Sequence, residues 1–133
     1  MMKNSTFFLL HGAIAIISLM FGLGVAIFGV LYSEAHTFGE ALIFFLPLLA
    51  GGSGAATVLW RHSSRYAPKV QLVLLASATG VSLCIFWLTV AMSGNLLLST
   101  LISVMCGAFC TMAALATAPT RMQVADTNDI FLG

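Results

Sequence analysis

Apolar residues run along this chain in four long stretches, 7–31, 40–60, 70–92 and 96–118, and the polar residues gather in the short gaps between them. Each stretch is too long for a helix buried in a soluble core. At 1.5 Å rise per residue the first is roughly 37 Å long, enough to cross a hydrocarbon layer of about 30 Å with some tilt. The pattern predicts an all-α membrane protein. Its four transmembrane helices form two antiparallel hairpins in a single domain, 1–133. The tail, 119–133, is a polar cytosolic segment closing on Ile130, Phe131 and Leu132.

The gaps differ in kind. The first, Ser33 to Gly39, holds Glu34 and His36 and no Lys or Arg. The third, Ser93-Gly94-Asn95, reads as a tight turn. The middle gap, Arg61-His62-Ser63-Ser64-Arg65-Tyr66-Ala67-Pro68-Lys69, is the basic cluster of the chain, with three of its five Lys and Arg residues. Lys3 and Arg121 fall on the same side as this loop. Positive charge is retained in the cytoplasm, so both termini and the middle loop are expected there, in a multi-pass protein of a bacterial-type inner membrane. Trp60 and Tyr66 then sit near the inner interface, and Tyr32 and Trp87 toward the outer one.

A signal peptide is the rival reading of the first stretch, since Lys3 precedes it and Ser33-Glu34-Ala35 resembles a cleavage site. A signal core spans only about 7–15 apolar residues. This stretch is far longer, so a retained helix is expected. Asn4-Ser5-Thr6 matches a glycosylation sequon, but at an end placed in the cytosol.

Composition agrees with lipid as solvent. The chain is 60% hydrophobic and 7% charged, with a mean hydropathy of +1.07. Soluble domains carry about 25% charged residues. A net charge of +1 gives no basic face for nucleic acid. Three cysteines, all inside apolar stretches, do not make a disulfide framework.

Helices in lipid gain little by hiding oil from oil, so they associate by close packing at small residues. The fourth stretch offers two overlapping rows. Ser99, Ser103, Cys106, Cys110, Ala113 and Thr117 step by four and three, the spacing of a left-handed crossing. Ser99, Ser103, Gly107 and Thr111 step by four and suit a right-handed one. The first stretch offers His11, Ala15, Ser18, Gly22, Val25 and Gly29. The second offers Pro47, Gly51, Gly54 and Val58, and the third Ser77, Gly80 and Cys84. The packing candidates are therefore Gly22, Gly29, Gly51, Gly54, Gly80, Ser99, Ser103 and Gly107, within the bundle or against a partner.

Candidates for chemistry are few. His11 is the ionisable group clearly inside a span, and such groups are functional hypotheses by default. Its plainer role is one hydrogen bond near the cytosolic interface. Pro47, followed by Gly51-Gly52-Ser53-Gly54, predicts a kink or loosened turn near the middle of the second span. With His11, the residues Pro47, Gly52 and Ser53 are the pore or substrate candidates, because broken helices form many transporter sites. No Asp, Glu, Lys or Arg at depth supports ion coupling. Cys84, Cys106 and Cys110 are soft-metal candidates, weak ones, since free Cys is also an ordinary small buried residue. Otherwise no metal site and no cofactor are expected. Glu34, His36 and Glu40 read as a solvated outer cluster, and His62 as part of a headgroup-facing surface.

No pairing of nucleophile and base can be assembled, so the expectation is a non-enzymatic protein. It would act by packing against another membrane protein, or against itself as a homo-oligomer, in the role of an accessory subunit, assembly factor or immunity-type protein. The alternative is a small oligomeric channel or transporter using the Pro47–Gly54 break.

Overall fold

A computed structural model describes residues 4–32, 38–43 and 45–119 of the chain. Lys3, Glu34, His36, Arg121 and the apolar end of the tail lie outside the described residues. The described chain is all helical: α1 (Asn4–Tyr32), α2 (Phe38–Ile43), α3 (Leu46–Arg61), α4 (Pro68–Ser93) and α5 (Leu96–Leu115). Three of these, α1, α4 and α5, are long and apolar enough to cross a membrane.

The helix ends follow the local chemistry. Pro68 opens α4 after Ala67 in an extended conformation, where a missing N–H costs nothing. Gly94 ends it in the left-handed region at φ 69°, its N–H donating to Val90 O at 2.8 Å. That conformation suits glycine. Asn95 then caps α5, its Oδ1 accepting from Leu98 N at 3.1 Å. The expected turn at Ser93-Gly94-Asn95 is present. Hydroxyls inside the helices bond to their own helix one turn back: Ser18 to Ile14 O at 2.5 Å, Thr89 to Ile85 O at 2.7 Å, Thr111 to Gly107 O at 2.8 Å. This satisfies a polar group without a partner helix or water.

The second stretch departs from expectation. It is not one continuous span with a break at Pro47–Gly54. The interruption falls earlier, between the end of α2 at Ile43 and the start of α3 at Leu46. Pro47 sits in the first turn of α3, where its lost donor has no intrahelical partner to forfeit. Gly51 to Gly54 are regular α-helix. The proline therefore starts a helix rather than bending one. At 16 residues α3 is roughly 24 Å long.

α4 is the hub, packing along α1, α3 and α5, while α3 also packs on α5. The contacts fix the directions. Phe7 shares a cluster with Val70 and Leu74, Ser18 faces Gly80, and Gly22 faces Leu83. Residue numbers rise together, so α1 and α4 run parallel. On α5, Ser103 bonds to Ser82 of α4 and Leu115 joins the Val70–Leu74 cluster, so α4 and α5 are antiparallel. Gly51 meets Ser82 while Leu59 joins the Val70–Leu74 cluster, so α3 and α4 are antiparallel too. The second hairpin, α4–α5, closes arm against arm. The first does not: α1 lies along α4 and makes no extended contact with α3. The glycines of α3 meet α4 at Gly51 and α5 at Gly54, and the Gly80 face of α4 takes α1.

One end of the bundle is tied together. Phe7, Leu59, Tyr66, Val70, Leu74, Leu115 and Ala118 form a buried cluster. They come from the start of α1, the end of α3, the loop, the start of α4 and the end of α5. Tyr66 Oη donates to Leu115 O at 3.2 Å across this cluster. At the opposite end the turn joining α4 to α5, residues 91–98, is exposed throughout.

Candidate functional site

The features that set this molecule apart are its interhelical seams and what they leave outside. At the centre Gly51 of α3, Ser82 of α4 and Ser103 of α5 converge. A Cβ added to Gly51 would collide with the Ser82 side chain. Ser103 Oγ donates to Ser82 O at 3.1 Å, and Ser82 Oγ to Thr79 O at 2.9 Å. One turn away, a Cβ on Gly54 would run into the Val104 carbonyl and lie 3.2 Å from Ala108 N, and one on Gly107 would strike the Gly51 carbonyl. Here backbone meets backbone, with no side chain able to turn aside.

The buried row of α5 is Ser99, Ser103, Gly107, Thr111 and Leu115. The structure therefore selects the row with four-residue steps. In the competing row Cys106 and Cys110 are half-buried and Ala113 and Thr117 exposed. The two share only Ser99 and Ser103, and the absence of any Cβ at Gly107 decides between them.

The α1–α4 seam is built differently. A Cβ on Gly80 would collide with Ser18 Oγ and lie 3.1 Å from Leu19 N. A Cβ on Gly22 would sit 2.6 Å from Leu83 Cδ2. Cys84 Sγ lies 3.3 Å from Ser18 O and donates to it. Phe7, Ala15, Gly22 and Ala26 are the buried residues of α1, with His11, Ser18, Val25 and Gly29 half-buried beside them. The expected row holds for the first half of the helix and shifts by one residue at Ala26.

The chemical candidates do not converge. His11 Nδ1 lies 3.1 Å from Phe7 O, and its ring lies over that of Phe7 at 4.4 Å. A carbonyl can only accept, so Nδ1 carries the proton. His11 and Cys110 line a groove of about 380 Å³ between α1, α4 and α5, with Leu10, Ile14, Ala78 and Val81 as its apolar walls. Cys106 and Cys110 are 3.7 Å apart at sulfur, but Cys84 faces Ser18 on α1. Among the described residues no three His, Cys, Asp or Glu side chains gather around one point. Ser53 is exposed and its hydroxyl donates to Ala50 O at 2.7 Å. Gly52 is half-buried, with room for a Cβ 3.4 Å from Thr79 Oγ1. Pro47 is buried.

Two features were not legible beforehand. Gln71 Nε2 donates to Ser63 O at 3.2 Å and Tyr66 O at 2.9 Å, clamping the basic loop to α4. The signal was an amide in the first turn of an otherwise apolar span. The second is a pair of small polar residues on α3, Ser53 and Thr57, that stay exposed among the described residues. In comparisons with known proteins, no family model, no curated protein and no solved structure matches this chain.

Proposed function

We propose that this chain is a small inner-membrane protein that crosses the bilayer four times, keeps both termini in the cytosol, and acts without catalysis by packing against a membrane partner. An accessory subunit, an assembly factor or an immunity-type protein would each work this way. The observation that carries the reading is the exposed small pair on α3. The bundle consumes Gly22, Gly80, Gly51, Gly54 and Gly107 internally. Ser53 and Thr57 remain exposed among the described residues, and small residues of this kind are enriched where membrane helices meet. The topology draws support from the gathered ends of α1, α3, α4 and α5 beside Arg61, Arg65 and Lys69.

The test is a photo-reactive residue placed at Thr57 in native membranes, with Leu101 on the exposed face of α5 as control. The reading expects a discrete protein adduct from Thr57 and lipid adducts from Leu101. Lipid adducts at both positions would refute it. Mixing two tagged forms of the chain before cross-linking separates a homo-oligomer from a different partner.

A second reading, a small oligomeric channel or transporter, draws on the interruption between α2 and α3. Interrupted helices release backbone groups that can coordinate a solute. Its support is the boundary between α2 and α3 rather than Pro47–Gly54, although Phe45 there donates to Leu42 O and accepts from Leu48 N–H. Solute uptake into vesicles that survives loss of every partner would favour it.

A further inference from the structure

The basic loop is held in a fixed shape. His62 N–H donates to Leu59 O and Arg65 N–H to His62 O, each at 3.1 Å. Gln71 clamps the loop from α4 and Tyr66 ties it to α5. On this frame Arg61, His62, Ser64 and Arg65 line a cup of about 350 Å³. His62 Nδ1 donates to Val58 O at 3.0 Å, which leaves Nε2 an acceptor in the neutral ring and a donor to an anion only in the imidazolium form. Of the chain's four acids, Glu34, Asp126 and Asp129 lie outside the described residues, and Glu40 belongs to α2.

A second concavity, of about 390 Å³, runs between α3 and α4 just below the loop. Ala56, Leu59, Leu72 and Leu75 make its walls, and Trp60, Ser63 and Pro68 its mouth. Trp60 and Ser63 alternate along the chain with the cup residues Arg61, His62 and Ser64. A guanidinium pair, an imidazole and a hydroxyl beside an apolar channel match one kind of molecule. Arginine forks suit phosphate oxygens, and the channel suits a hydrocarbon chain.

We propose that the loop and the α3–α4 groove hold one anionic phospholipid, its phosphate in the Arg61–His62–Ser64–Arg65 cup and an acyl chain along Ala56, Leu59, Leu72 and Leu75. The proposal rests on the membrane placement of this loop. It predicts preference for anionic over zwitterionic lipid, because each basic residue near a headgroup favours it by about fivefold.

The experiment uses full-length protein carrying Trp87→Phe, which leaves Trp60, 82% exposed, as the single tryptophan. The protein is reconstituted in phosphatidylcholine containing a small fraction of brominated phosphatidylglycerol or brominated phosphatidylcholine, and quenching of Trp60 is titrated. Brominated phosphatidylglycerol is expected to saturate at a mole fraction on the order of twentyfold lower, and Arg61→Gln with Arg65→Gln is expected to erase that difference. Both arginines are exposed, so the double variant keeps its packing. Ala56→Phe, which fills the groove and leaves the cup intact, is expected to weaken quenching by the anionic lipid. Equal quenching by both lipids would overturn the site while leaving the loop at the interface. No quenching by either would overturn the membrane placement as well. Displacement by millimolar inorganic phosphate would show that the cup takes phosphate alone and would overturn the lipid assignment.

Discussion

The α3–α5 seam and the α1–α4 seam both use glycine, yet they differ in what the glycine meets. Gly54 and Gly107 lie against carbonyl oxygens of the opposite helix. Gly22 lies against the Leu83 side chain from Cδ2 back to Cβ, and Gly80 against the Ser18 side chain and Leu19 N. Backbone cannot rotate away, whereas the Leu83 side chain and the Ser18 hydroxyl can shift, which leaves the Leu19 N approach to Gly80 as the backbone contact of that seam. Where close approach replaces the hydrophobic drive, the α3–α5 seam is therefore the less tolerant of added bulk. α1 is a helix docked along one stripe, with Ile16, Ile17, Met20, Phe21 and Phe28 exposed on the remainder.

Substitutions at the two seams sharpen that contrast. Gly54→Ala or Gly107→Ala is expected to cost the most, about 3 kcal/mol or outright failure to fold, read as loss of the folded fraction in detergent titrations. Gly80→Ala is expected to cost about 2 kcal/mol and to act on α1 selectively, so that amide exchange rises in α1 while the rest of the bundle stays protected. Gly22→Ala should cost less, about 1 kcal/mol, because Leu83 can give way. Equal losses at Gly54 and Gly22 would break the distinction.

Weaker effects test the polar contacts and the open positions. Ser103→Ala removes the hydroxyl that reaches Ser82 O, and about 0.6 kcal/mol is expected, the mean for such bonds between membrane helices. Gly12 and Gly24 have nothing within 4 Å of an added Cβ. Alanine at either is expected to change stability by no more than about 0.5 kcal/mol.

Much of this was readable in advance, and the reasons are physical. Length and apolarity announce a membrane helix, so α1, α4 and α5 were legible, as was the turn at Gly94. Small residues announce a seam: Gly22, Gly51, Gly54, Gly80, Ser99, Ser103 and Gly107 lie buried, and Gly29 is half-buried. Pairing was not legible. A row of small residues says that a face packs closely but not against which helix, so α1 could not be assigned to α4 rather than α3. Between the two rows on α5 the sequence was evenly balanced. The outcome depended on the Gly51 carbonyl, on another helix, lying where a Cβ at Gly107 would be. The break in the second span was misplaced because proline was treated as a kink, when its position before a regular glycine-containing helix also suits a first turn.

Ser53, a pore or substrate candidate, shares its hydrogen-bonding pattern with Thr57 and Thr111. Each donates to a carbonyl of its own helix, at 2.7, 2.8 and 2.8 Å respectively. The basic loop was underread, because its shape depends on Gln71 and Tyr66 reaching across to it, which spacing along the chain does not reveal.

The parallel docking of α1 on α4 is the claim on which this arrangement turns, and a cross-link tests it directly. With Cys84, Cys106 and Cys110 replaced by alanine, Gly22→Cys and Leu83→Cys are introduced together. An added Cβ at Gly22 lies 3.3 Å from Leu83 Cβ, within a small shift of the roughly 3.5–4.5 Å that a disulfide requires. Mild oxidation in membranes should close this pair within one chain and leave Gly12→Cys with Leu83→Cys open. Closure of the Gly12 pair with no reaction at Gly22 would mean that α1 runs the other way along α4, and would contradict the account.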